Sequence, residues 1–183
     1  MDSDRYDGGR PGDRYAEVDR SPLTVMVLLA AVAAFQLVHH YPNLPETIAT
    51  HFGASGQADG WSGTRSFMLI YGVIEGAMVV GAFLIARFAM RIPTGALNIP
   101  NRDYWLEPER RSESLHFVWS RVLWMMAATL AFLIAVAEIV FRSNLTPGPP
   151  ALTRDFLIVL VVFVAVTGWF SLGILTRFRL PKP

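Results

Sequence analysis

A chain of 183 residues that is 52% hydrophobic and only 17% charged, with a mean hydropathy of +0.37, is too apolar for an ordinary soluble domain and reads as an all-α polytopic membrane protein. Its net charge of +1 leaves no electrostatic footprint for nucleic acid. The absence of cysteine excludes disulfides, thiolate metal ligands and a cysteine nucleophile.

Residues 1–20 intersperse acids and arginines with glycine and show no apolar period, so a disordered cytoplasmic tail is expected there. Ser21-Pro22 ends it as an N-cap followed by proline at the first helical position. Apolar runs then occupy about residues 22–39, 66–88, 118–141 and 155–176, each near the ~20 residues that cross a hydrocarbon core. Ala31-Val32-Ala33 resembles a signal-peptide processing site, but the long acidic leader favours an uncleaved anchor. The expected architecture is four transmembrane helices with one structured extracytoplasmic loop, contained in residues 21–178 and followed by a cytoplasmic tail, 179–183. Arginine and lysine set the orientation. Arg5, Arg10, Arg14 and Arg20, then Arg87, Arg91, Arg102, Arg110 and Arg111, then Arg177, Arg179 and Lys182 fall on one side, against Arg65, Arg142 and Arg154 on the other. Both termini and the 89–116 loop are therefore expected in the cytoplasm, and the 40–65 loop outside.

That 40–65 loop is the longest polar insert between the spans. Gly53, Gly56 and Gly60 free its backbone for tight turns, which predicts a hairpin or compact cap on the helix ends. Ile48, Thr50 and Phe52 alternate with Thr47, Ala49 and His51, placing His51 opposite Phe52 on a short extended segment, although a helical turn after Pro45 is equally compatible. Tyr41 and Trp61 bracket the insert as interfacial aromatics. Asp59-Gly60 is an ordinary turn dipeptide, and Asp59 is also a ligand candidate beside His51.

The order Tyr41, Leu44-Pro45, Ile48, Thr50-His51-Phe52, Gly56, Asp59-Gly60-Trp61 resembles the signature of a bacterial polytopic membrane family, the domain of unknown function 1648 type found in the Sdp-toxin immunity protein and its relatives. Leu97 to Trp105 and Pro108 to Arg111 are similar to the cytoplasmic loop that follows the second span in many of these relatives. The departure lies at Thr64-Arg65, where relatives more often have a small residue and a lysine. The resemblance implies a bacterial inner-membrane location and, by analogy, an immunity-like or signalling role.

Glu75 falls about nine residues into the second span, ~13 Å at the helical rise, and so near mid-membrane. A charged carboxylate facing lipid there is costly, so Glu75 is expected to turn into the bundle on the face of Gly72 and Gly76, whose spacing suits close helix approach. Ala127, Ala131 and Ala135 form a small-residue stripe leading to Glu138 near the outer end of the third span. His39, His40, Glu46, His51, Asp59 and Glu138 could gather as nitrogen and oxygen donors for a divalent metal; His51, Asp59 and Glu138 are the named set, although no HExxH or paired spacing sharpens it. Otherwise no cofactor is expected. In the 89–116 loop, Pro93, Pro100 and Pro108 forbid a long helix, and Arg110 and Arg111 suit lipid phosphates. Asn101, Asp103, Tyr104 and Trp105 are either anchoring groups there or contacts for a partner. Arg121 can snorkel or pair with Glu109 or Glu113. In the last span, Gly168, Ser171 and Gly173 supply small contacts and Trp169 a large packing or cofactor-contact group.

The sequence thus predicts a non-enzymatic membrane binding protein. His51, Phe52, Asp59, Trp61 and Glu75, with Asn101, Asp103, Tyr104 and Trp105 on the other side, are the candidate contacts for a peptide, toxin or protein partner, alongside membrane lipids. An accessory subunit of a larger complex, or an oligomer, is one alternative. A small proton- or ion-coupled transporter or metal-dependent enzyme using Glu75 and Glu138 is another.

Overall fold

The structure is a computed structural model that describes residues 19–152 and 154–180. The expected N-terminal tail therefore lies almost entirely outside the described residues. Helix α1 spans Ser21–His40. Asp19, two residues ahead of it, accepts the Ser21 N–H at 3.0 Å and the Ser21 hydroxyl at 2.6 Å, and these bonds hold the Asp19 carboxyl below the usual range. A two-stranded antiparallel hairpin follows, β1 over Thr47–Phe52 and β2 over Ala58–Gly63. The chain continues into α2, Thr64–Phe88, a one-turn helix α3, Arg102–Trp105, then α4, Pro108–Leu145, and α5, Arg154–Arg177. Among the described residues, four helices, α1, α2, α4 and α5, are long and apolar enough to cross a membrane.

The organising element is α4, which packs against α1, α2, α5 and β1. Its 38 residues measure about 57 Å at the helical rise, well beyond a ~30 Å hydrocarbon core. The expected loop over 89–116 is accordingly shorter than foreseen. Pro108 starts this helix instead of ending one, because the first helical position needs no intrahelical N–H and suits proline's fixed φ. Glu107 O then receives the Arg110 and Arg111 N–H groups.

Two buried apolar layers stack along α1, α2 and α4. The one remote from the hairpin contains Met26, Ala33, Ala82, Leu123, Leu130 and Ile134. The one nearer the hairpin contains Tyr71, Ala137 and Phe141, packed by Leu37 and Phe67. Helix α5 leans chiefly on α4 and has no buried residue. Hence Trp169 is 74% exposed and is not a packing group, and neither Gly168 nor Gly173 has a neighbour within 4 Å of its would-be Cβ. The small-residue expectations fail elsewhere for a geometric reason. A four-residue step overshoots a full turn by about 40°, so Ala127 faces the first apolar layer while Ala131 and Ala135 line the groove toward α5. Likewise Gly72 meets Leu37 at an ordinary 3.5 Å, whereas Gly76 faces open space.

Candidate functional site at the hairpin end

The hairpin is fastened to the bundle by backbone bonds that leave its far surface free. Ile48 and Ala49 are buried against the helices. Asn144, near the end of α4, receives the Ala49 N–H on Oδ1 at 2.7 Å and donates from Nδ2 to Ala49 O at 3.0 Å and to Val140 O at 2.8 Å. One side chain thus closes the outer edge of β1, which would otherwise present unpaired peptide groups. At the base, the Thr64 hydroxyl donates to Pro45 O and the Thr64 N–H to Glu46 O at 2.9 Å, tying the start of α2 to the entry of β1. The linker before α5 closes the third side. Leu152 N–H bonds Gly56 O at 2.8 Å, Ala58 N–H bonds Pro150 O at 3.2 Å, and Ser143 Oγ accepts from Ala151 N–H at 3.0 Å.

On this mounting, His51 Nδ1 donates to Asp59 Oδ1 across the strands. Two glycines make room for the pair: a Cβ at Gly60 would lie 2.9 Å from His51 Cβ, and one at Gly53 would lie 2.8 Å from Asp59 Oδ2. The His51 side chain is 75% exposed and Asp59 53%, so the pair is a surface feature. Register irregularities flank His51, which breaks the simple alternation expected of this strand. Trp61, opposite Ala49, is 58% exposed. Phe52 is half-buried and lines a cleft of about 500 Å³ with Gly53, Ser55, Arg154 and Phe156.

Glu138 belongs to a different cluster. Its Oε2 accepts from Gln36 Nε2 at 2.9 Å and from His40 Nε2 at 2.9 Å, and its Oε1 from Arg142 Nε at 2.6 Å. It borders a cleft of about 280 Å³ with Arg142, Ser143 and Asp155. The expected metal set of His51, Asp59 and Glu138 is therefore not assembled: Glu138 is engaged by Gln36, His40 and Arg142, and His51 by Asp59. Among the described residues, no group of three or more His, Asp or Glu side chains is placed to hold a metal ion. His39 stacks on Phe35 with ring centroids 5.6 Å apart and meets the His40 ring edge-on at 5.0 Å.

Glu75 is buried in the bundle interior, as expected, one turn from Tyr71. Asn101, Tyr104 and Trp105 lie at the opposite end and are engaged by the protein itself. Asn101, at φ 51°, donates from Nδ2 to Phe178 O at 2.8 Å. Arg110 lies 4.0 Å over the Tyr104 ring, and Arg177 4.4 Å over Trp105. Arg111 is held by Ile92 O at 3.3 Å, so both loop arginines have protein partners. Arg177, not Arg121, takes Glu113, at 2.6 Å; Arg121 instead rests over Phe117 and Phe170. Asp103 pairs with its neighbour Arg102, at 3.4 Å. Gln36 and Asn144, the two residues that organise the hairpin end, were not singled out by sequence reading. A lone amide inside an apolar run was the available signal for Gln36.

These features define a helical, membrane-type protein with a hairpin fixed across one end of its bundle. Residues 26–74, covering most of α1, the whole hairpin and the first part of α2, match the family model described as Domain of unknown function (DUF1648). No curated protein and no solved structure matches the chain.

Proposed function

We propose that this is a non-enzymatic integral membrane binding protein whose hairpin recognises a peptide, a toxin or a protein partner on the extracytoplasmic face of a bacterial inner membrane. The observation that carries this reading is Trp61, a large aromatic side chain 58% exposed on a strand whose partner strand is pinned to α4 by Asn144. Rigid, exposed aromatic groups are the residues that dominate binding energy at protein interfaces. His51 and Asp59 beside it supply a polar, hydrogen-bonding edge. The family resemblance of the loop supports an immunity-like or signalling version of the role.

The test is site-specific photo-cross-linking in native membranes, with the photoreactive residue placed at Trp61 or His51 and, as a lipid-facing control, at Val161. A discrete protein or peptide adduct from the hairpin positions and not from Val161 is the expected result. Adducts to lipid alone at all three would overturn it. A second reading, an accessory subunit of a larger complex, draws on α5, which has no buried residue. Protein adducts from Trp169 in place of the hairpin would select it.

A further inference from the structure

Glu75 is the only acidic side chain buried among the described residues, at 4% exposure, and it lies in a transmembrane-type helix. Chain order fixes its level in the bundle. On α2 it sits between Tyr71 of the hairpin-side apolar layer and Met78, which packs on the remote one. On α1, Gln36 sits in the same way between Ala33 of the remote layer and Leu37 of the hairpin-side layer. Gln36 Nε2 donates to Ile134 O at 3.0 Å, at the matching level of α4. Gln36 and Glu75 thus form one polar stratum sandwiched between two apolar ones.

The hydrogen-bond inventory of this stratum does not balance. Gln36 Oε1, Glu75 Oε1 and Tyr71 Oη are all buried without a well-formed hydrogen bond among the described residues, Tyr71 and Glu75 lying close enough to interact with each other. Two of these are acceptors, and the phenol is the single donor. No basic side chain forms an ion pair with Glu75 among the described residues. The charged or titratable groups nearest along the packed helices are Tyr71 on α2 itself, His40 on α1, and Glu138 with Arg142 on α4, the last three already bound to one another. One added proton corrects the deficit, since a carboxylic acid has an O–H to give and an unpaired carboxylate in an apolar layer is costly.

We propose that Glu75 and Gln36 form a proton-binding site inside the membrane, the Glu75 carboxyl carrying the proton and donating it to Gln36 Oε1. Gln36 is the link outward. Its Nε2 already donates to Glu138 Oε2, so proton occupancy at Glu75 completes a hydrogen-bonded chain from the middle of the bundle to the cleft beside Arg142 and Asp155. The buried Phe141 ring, 5.0 Å from His40 and 6.5 Å from Tyr71, fills the apolar route between the two groups. The amide thus joins the two carboxyl groups by hydrogen bonds while itself staying neutral, a link in the network and not a carrier of the proton. The site is separate from the hairpin surface and does not depend on its reading.

The experiment uses the full chain in phosphatidylcholine and phosphatidylglycerol vesicles. Dicyclohexylcarbodiimide, which modifies protonated carboxyls in apolar surroundings, is followed by peptide mass spectrometry, and infrared spectra report the carboxylic acid carbonyl stretch. Labelling at Glu75 at neutral pH, falling as the pH is raised, is expected, together with a carboxylic acid band absent from Glu75→Gln. Gln36→Leu removes the acceptor and should move that band to higher frequency. No label at Glu75 in the wild type, or a band unmoved by Gln36→Leu, would overturn the site. If Glu75→Gln fails to fold, the wild-type label and the Gln36→Leu shift still decide. Trp61→Ala should leave both readouts unchanged, which separates this site from the hairpin.

Discussion

A single amide, Asn144, decides whether the hairpin is a fixed surface or a loose loop. Truncation to alanine removes both bonds to Ala49 and leaves a buried N–H and C=O without partners. At roughly 1–3 kcal/mol for each unsatisfied group, Asn144→Ala should lower stability by about 2–6 kcal/mol. It should also speed hydrogen exchange at the β1 amides far more than in α2; unchanged β1 protection would refute the clamp. In the sequence Asn144 is simply a polar residue at the end of an apolar run. Its true role depends on a strand 95 positions away in the chain, which no local pattern reveals. The glycines were more readable. Gly60 was expected to free the backbone, and the structure adds a steric reason, since its missing side chain is what admits His51. Gly60→Ala should therefore separate His51 from Asp59 while leaving the helices intact, seen as a changed His51 imidazole resonance with unchanged helical circular dichroism.

At the scale of elements, apolar run length located all four long helices, because the need to satisfy every backbone group in lipid leaves few alternatives. The hairpin was equally open to a helical reading after Pro45; the pairing of Thr47 with Gly63 through Phe52 with Ala58 resolves it. Where reading failed, one residue type carried two meanings. Pro108 breaks a helix internally but starts one at its first position, and nothing local distinguishes the cases. Helix faces also differ from the expectation, because four-residue spacing drifts around the cylinder with each step. The hairpin turn offers a direct check on its own geometry. Gly56 has φ +79° and bonds Leu152 N–H through its carbonyl. Gly56→Ala places a Cβ in left-handed backbone at a cost of about 1–2 kcal/mol and should loosen the link to the α5 entry. Greater proteolytic cleavage between Phe52 and Ala58, with the helices still protected, is the expected signature.

For the whole molecule, the fold sorts charge as the arginine count predicts. Arg87 and Arg91 flank Phe88 at 5.3 and 5.6 Å, Arg111 reaches Ile92 O, and Arg177 pairs with Glu113, all at the end opposite the hairpin. The hairpin end holds Arg65, Arg142 and Arg154, of which Arg142 pairs with Glu138. Because α4 is longer than a bilayer core, its first turns project from the arginine-rich end, where Ser114 and Trp105 are joined by a 2.9 Å bond. An excess of arginine on one side favours retention of that side in the cytoplasm, so we expect the hairpin to face outward. The chain has no cysteine, which makes the test clean. Single cysteines at Ser55, in the hairpin turn, and at Glu109, in the first turn of α4, are exposed to a membrane-impermeant maleimide on intact cells. Ser55→Cys should label at once and Glu109→Cys only after permeabilisation. The reverse pattern would put the hairpin, its exposed Trp61 and the mouth of the Glu138 cleft in the cytoplasm. Any partner for the hairpin, and the water that exchanges protons with the Glu138 cleft, would then lie on the cytoplasmic side.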